Sequence, residues 1–131
     1  MTEDGRRESV ALELATADEE LRAADQLLAI GLARIALTRA YFAAFHAARA
    51  MLYSEDLAPR THTGLHHLVN LHLVRTGRLP AATSRLMARL QKFREEADYA
   101  EAFVSDEEGV REEVAAARAL VDNIKAILAA S

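Results

Sequence analysis

The sequence predicts an all-α fold, a compact bundle of about five helices. In several long stretches the apolar residues recur at alternating spacings of four and three, which is the period of an amphipathic helix. No stretch alternates apolar and polar residues over the length of a strand. The chain of 131 residues is long enough for a buried core, so we expect residues 1–131 to form a single helical domain.

The first two helices follow from apolar spacing and from one glycine. The first is predicted to run from about Glu8 to Ile30, and residues 1–8, which are charged and polar, are expected to be disordered. Gly31 stands where a glycine commonly ends a helix. The second helix, from about Leu32 to Tyr53, carries a seam of small residues that lets neighbouring helices approach closely, so we expect it to lie centrally. The seam consists of Ala36, Ala40, Ala43, Ala47 and Ala50.

Capping signals place the other three helices. Thr61 can cap a third helix of about 14 residues that ends near Gly77. Pro80 suits the first turn of a fourth helix. The residues from Ser105 to Glu108 form a Ser-x-x-Glu capping box, which predicts the start of a fifth.

Composition narrows the classes of function. The net charge is -4, from 20 acidic and 16 basic residues, so any contact with RNA or DNA must come from a local patch. There are no cysteines, which excludes disulfides and cysteine-based zinc sites. Neither a signal peptide nor a transmembrane span is evident, so we expect a cytoplasmic protein without membrane contact.

The histidines raise the question of a metal site. His62 and His66 are four apart on the third predicted helix, a spacing that can hold one metal ion. No glutamate lies between them as in the zinc-protease pattern, and no acidic residue occurs between Leu57 and Glu95. We therefore predict a surface histidine cluster near a helix N-terminus, with no metal and no cofactor.

Arg39 and His46 share a face of the second helix because they are seven residues apart. Spacing alone favours a structural interpretation. In it, Arg39 pairs with an acidic residue, and His46 is a hydrogen-bonded core residue. In the functional interpretation, His46 moves protons to and from a ribose 2′-hydroxyl and the leaving oxygen. Arg39 would then stabilise charge on the phosphate, and no metal is needed.

The fourth helix supplies the remaining candidates. Arg94 and Asp98 are four apart, which by itself indicates an ordinary intrahelical ion pair, and Tyr99 follows. If the second and fourth helices pack with these faces together, one cleft collects the candidate residues, with His62 at its edge. These candidates are Arg39, His46, Arg94, Asp98 and Tyr99.

Four segments, in order, carry a family resemblance. Residues 38–48 are similar to a Ser-Arg-Ala-Tyr-Tyr-Ala-x-Phe-His-Ala-Ala stretch, with Thr38 for Ser and Phe42 for Tyr. Residues 61–64 match Thr-His-x-Gly, residues 76–80 match Thr-Gly-x-Leu-Pro, and residues 94–99 match Arg-x-x-Ala-Asp-Tyr. As an ordered set these segments resemble the HEPN superfamily, specifically its small single-domain proteins.

The resemblance implies an all-α bundle, often a homodimer, whose frequent partner is a minimal nucleotidyltransferase. Such pairs are toxin–antitoxin modules, and the resemblance implies an RNA-cleaving toxin with a nucleotidyltransferase antitoxin. Arg39 and His46 are then the catalytic residues, and the substrate-binding residues are His62, Arg94, Asp98 and Tyr99.

One departure from the family pattern keeps a second function open. The family's catalytic signature is an arginine followed, after four to six residues, by a histidine on a late helix. No histidine follows Arg94, whereas Arg39 and His46 have this spacing on the second helix. The chain is therefore interpreted as a metal-independent endoribonuclease, or else as a non-catalytic subunit that binds nucleotide or RNA beside a nucleotidyltransferase. A purely structural helical dimerisation module is the third interpretation.

Overall fold

The computed structural model describes residues 1–97 and 106–131, and it confirms the all-α prediction. The described residues form five α-helices and one π-helical segment, with no strand among them. The helices are α1 (Glu3–Ala29), α2 (Ala33–Ser54), α3 (His62–Leu68), α4 (Ala82–Ala97) and α5 (Glu107–Ala129), and the π-helical segment, Val69–Val74, directly continues α3.

Helix α2 lies at the centre of the bundle, packed against α1, α4 and α5. All five alanines of the predicted seam have no exposed surface, which agrees with the expected central position. Small side chains allow this burial because they let the neighbouring helices approach the α2 backbone closely. The turn before α2 is made by Gly31, whose φ of 81° lies in the left-handed region that glycine adopts without strain.

The helix starts differ from the predicted ones, and capping explains two of the differences. Helix α1 begins at Glu3, earlier than predicted, so most of the segment expected to be disordered is helical. The Thr2 side chain accepts a hydrogen bond from the Gly5 amide at 2.9 Å. Acidic residues in the first turn interact favourably with the positive end of the helix dipole. Helix α5 is capped by Asp106, one residue after the predicted Ser105, which lies outside the described residues.

The third and fourth helices also differ in detail. The predicted cap Thr61 is present, with its hydroxyl accepting from the Gly64 amide at 2.8 Å, but α3 gives way to π-helical turns after Leu68. Pro80 precedes α4, which begins at Ala82, rather than lying within its first turn, and its carbonyl accepts a hydrogen bond from the Thr83 amide. None of the described helices has the length and apolar character that crossing a membrane requires.

Enlarging a seam residue should destabilise the bundle. We expect Ala47→Leu to lower the free energy of unfolding by about 1–3 kcal/mol, because the added atoms have no space against α2's neighbours. Ala88→Leu on α4, where the alanine is exposed, should change it by less than about 0.5 kcal/mol. Urea denaturation of both variants measures the difference, and equal midpoints would contradict the packing described here.

Candidate functional site

Two glutamates of α1 face a polar stripe of α2. Glu13 accepts hydrogen bonds from His46 Nδ1 at 2.7 Å and from Arg49 Nη2 at 2.5 Å. Two helical turns further along α1, the Oε2 of Glu20 lies 3.0 Å from the Nη1 of Arg39. The pairs run in opposite directions along the two helices, so α1 and α2 are antiparallel, and acidic partners hold both predicted catalytic side chains.

Glu13 stays ionised in this setting. Burial by itself would raise its pKa, but the hydrogen bonds from His46 and Arg49 outweigh that effect and hold the pKa below its usual value. A carboxylate can only accept, so the proton of the contact belongs to His46 Nδ1. Nε2 is consequently the His46 nitrogen that can exchange a proton with a substrate. A carboxylate that bonds one nitrogen of a histidine orients the ring in the same way in other sites.

Phenylalanine rings of α2 hold the two histidines close to each other. The His62 ring stacks on Phe45 with a centroid separation of 4.5 Å, and the His46 ring meets the same phenyl edge-on at 5.3 Å. Both imidazoles also pack around Phe42, at 6.1 Å for His62 and 6.5 Å for His46. A histidine from the start of α3 thus lies beside the His46 of α2.

Two arginines lie over the same Phe42 ring. The guanidinium carbon of Arg39 is 5.1 Å from the ring centroid, and that of Arg94 from α4 is 5.4 Å away. Both separations are within the range of a cation–π interaction. The Phe42 cluster, by which we mean Phe42 with Arg39, His46, His62 and Arg94, therefore brings together the predicted site residues that the structure describes. Asp98 and Tyr99 lie outside the described residues.

Behind this cluster, a buried hydroxyl joins two histidines. Tyr41 Oη lies 2.7 Å from His62 Nδ1 and 3.5 Å from His66 Nε2, and the tyrosine has no exposed surface. Burial raises the pKa of Tyr41 to about 12, although the Arg94 charge acts in the opposite direction. His62 and His66 therefore share a hydroxyl partner, and the described residues contain no group of three His, Cys, Asp or Glu that could share a metal ion.

The surroundings of His62 favour its neutral form. Burial lowers its pKa first, and the charges of Arg94, Arg49 and His46 lower it further. Burial, followed by the charge of His62, lowers the pKa of His66 as well.

Sequence reasoning missed three residues of this region. Glu13 and Glu20 are seven apart, the same interval that separates Arg39 from His46, so matching intervals on consecutive helices could have suggested the pairing. Tyr41 gave no comparable signal, because its role depends on the position of α3 beside α2.

Comparisons with known proteins agree with the fold. The model of the HEPN domain family matches residues 11–127. A Methanocaldococcus jannaschii protein named "Putative toxin" is 33% identical over 122 residues, which cover 93% of this chain and 90% of that protein. A UPF0332 protein of Pyrococcus horikoshii is 39% identical over 53% of this chain and 49% of its own length. Another, from Gloeobacter violaceus, is 34% identical over 63% of this chain and 66% of its own.

Proposed function

Since the chain belongs to the HEPN domain family, we propose that it is a toxin that cleaves cytoplasmic RNA as a metal-independent endoribonuclease. The toxin role rests on the likeness to the Methanocaldococcus jannaschii protein that bears that name. One observation carries the proposed chemistry: His46, held at Nδ1 by Glu13, shares the Phe42 cluster with two arginines.

His46 supplies the proton transfer. Its Nδ1 is occupied by Glu13, and its side chain retains 20% of its surface exposed, which leaves Nε2 to meet a substrate. Cleavage of RNA without a metal requires removal of the 2′-hydroxyl proton and protonation of the departing 5′-oxygen. The products are a 2′,3′-cyclic phosphate and a free 5′-hydroxyl.

Arg39 stabilises the negative charge that grows on the phosphate in the transition state. Its side chain is 34% exposed, so the guanidinium can pair with Glu20 on one side and offer to a phosphate the N–H groups that Glu20 does not use. The ion pair thereby orients the guanidinium, as a catalytic arginine requires. Arg94 binds the neighbouring phosphate or base, with His62 beside it.

The charge near the cluster suits RNA. Between Leu57 and Glu95 the chain has seven arginine or lysine residues and no acidic one, although its overall charge is negative. Two of the seven, Arg78 and Arg89, pair with Glu55 and Glu113. The others, Arg94 among them, supply local positive charge of the kind that phosphates require. Phe42 is half-buried and lies under the guanidiniums of Arg39 and Arg94, so it holds both cations at the site.

The remaining assignments follow from the sequence and the family. We propose that Asp98 orients Arg94 through their four-residue spacing and that Tyr99 contacts the substrate. We further propose a homodimer that a minimal nucleotidyltransferase neutralises as antitoxin. Light scattering of the purified chain and copurification with such an enzyme test these two assignments.

A second candidate function is a non-catalytic subunit that binds nucleotide or RNA and docks the nucleotidyltransferase. The ion pairs favour it, because Glu20 and Glu13 neutralise Arg39 and Arg49 and thereby lock α1 to α2. The absence of a histidine after Arg94 in the sequence also favours it. Such a subunit would bind RNA without cutting it.

Incubation of the purified chain with RNA, with and without chelator, tests the proposal. We expect cleavage at the same rate in both samples, because proton transfer by His46 needs no metal ion. Binding without cleavage would favour the second function, and cleavage that the chelator abolishes would exclude the mechanism proposed here. The His46→Ala variant, described below, controls for contaminating ribonucleases.

A further inference from the structure

The contact between Tyr41 and two histidines has no part in the chemistry assigned so far. A tyrosine hydroxyl can donate one hydrogen bond and accept another. At 2.7 Å from His62 Nδ1 and 3.5 Å from His66 Nε2, Tyr41 Oη can accept from the first histidine while it donates to the second. With Nδ1 protonated, neutral His62 has an unprotonated Nε2. Among the described residues none bonds to that nitrogen, so it can accept a proton.

We propose that His62 is the base that removes the 2′-hydroxyl proton, and that Tyr41 and His66 relay the proton's charge away from the cluster. This proposal rests on the proposed ribonuclease function and divides its two proton transfers between two histidines. His46, held by Glu13, is then the acid. Both imidazoles lie against Phe42 and Phe45, so acid and base occupy one site.

The proton inventory of the step balances. The 2′-oxygen gives its proton to His62 Nε2 as it bonds to phosphorus. The Nδ1 proton of His62 moves to Tyr41 Oη while the Tyr41 proton moves to His66 Nε2. The bond from phosphorus to the 5′-oxygen breaks, and that oxygen takes the Nε2 proton of the His46 imidazolium. His66 has gained one proton, His46 has lost one, and His62 now carries its proton on Nε2. The starting state returns when the His66 proton passes back through Tyr41 to His62 Nδ1, His62 Nε2 loses its proton to water, and His46 takes up a proton.

Electrostatics explain why a relay is useful here. His62 is near the cations Arg49 and Arg94 and the imidazolium form of His46, so a positive charge confined to its ring would be repelled. The same environment keeps His62 neutral and ready to accept a proton at neutral pH. Moving the charge to His66 takes it to the far side of the Tyr41 hydroxyl. Burial also lowers the pKa of His66, so the proton rests there only until it returns through Tyr41. Burial raises the pKa of Tyr41 to about 12, so a tyrosinate is disfavoured and the relay needs the hydroxyl to take up one proton as it gives up the other.

The variant Tyr41→Phe removes the hydroxyl and keeps the ring that packs on Phe42 and His62. We expect its RNA cleavage rate to fall about 10- to 100-fold, part of the 10²–10⁴-fold contribution of a positioned base. The acidic limb of its pH–rate profile should shift to lower pH, because the His62 imidazolium loses the acceptor of its Nδ1 proton. The pH profile separates a role in proton transfer from a merely structural one.

Two further variants complete the experiment. His66→Gln keeps a hydrogen-bonding side chain that cannot take up the proton, and it should lose as much activity as Tyr41→Phe, with no added loss in the double variant. His67→Gln changes the exposed neighbouring histidine and should cleave at the parent rate. If Tyr41→Phe melts early, His66→Gln carries the test alone.

The outcomes distinguish a failure of the relay from a failure of the proposed ribonuclease function. If the parent cleaves RNA and both relay variants match His67→Gln in rate and pH profile, the relay is wrong and the ribonuclease assignment stands. If the parent does not cleave, the ribonuclease assignment fails and His62 has no base role. A rate loss together with the pH shift supports the relay.

Discussion

Replacing His46 with alanine should slow RNA cleavage about 10²–10⁴-fold, the usual contribution of a positioned acid or base. Among the described residues, the alanine removes the only imidazole that Glu13 orients. Cleavage of a short RNA under single-turnover conditions measures the loss.

Arg39→Lys provides the companion experiment. A lysine retains the charge toward Glu20 but cannot offer the guanidinium's parallel N–H groups to a phosphate, so cleavage should also fall. Melting temperatures must be measured for both variants, because His46 also connects α1 to α2. If His46→Ala cleaves at the parent rate with an unchanged melting temperature, the catalytic assignment of His46 is wrong.

The second large effect concerns stability. Glu13→Gln should lower the free energy of unfolding at pH 7 by about 2–4 kcal/mol, because the hydrogen-bond donors His46 and Arg49 lose their carboxylate acceptor. His46 and Arg49 are partly exposed, so water screens their contacts with Glu13. We therefore expect a loss in the lower half of that range. Glu3→Gln, whose parent carboxylate pairs with Arg7 at the surface, is the matched control and should cost less than about 1 kcal/mol.

The pH dependence has a definite sign. Because folding lowers the pKa of Glu13, its contribution to stability is present above the unfolded value of 4.5 and is lost as the pH falls through the folded pKa. The stability difference between the parent and Glu13→Gln should therefore shrink toward acid pH. Urea titrations at several pH values measure it, and a difference that grows on acidification would contradict the ionised state assigned to Glu13.

The sequence was sufficient to predict the helices, because apolar periodicity depends only on residues that are close together in the chain. The small-residue seam correctly identified α2 as the central helix, since alanine at these spacings permits close approach from several sides. The helix ends were less accurate. Thr2 and Asp106 are caps whose value depends on hydrogen bonds to Gly5 and Gly109 that spacing alone does not rank against nearby alternatives.

The site was predicted in part, and the limit is physical. The shared face of Arg39 and His46 is a property of one helix, so their spacing was enough to find it. Their partners Glu13 and Glu20 belong to another helix, and the register between two helices is set by packing over the whole interface. Tyr41 reaches His62 only because α3 returns to α2 after a loop, which no spacing within one helix encodes.

The chemical nature of the RNA ends tests the central claim most directly. Mass spectrometry of the fragments released by the parent chain should find a 2′,3′-cyclic phosphate on one fragment and a 5′-hydroxyl on the other. These termini result when the ribose 2′-oxygen attacks the phosphate with His46 and Arg39 assisting. Fragments that carry a 5′-phosphate and a 3′-hydroxyl would show that water is the nucleophile, and would contradict the mechanism proposed for the Phe42 cluster.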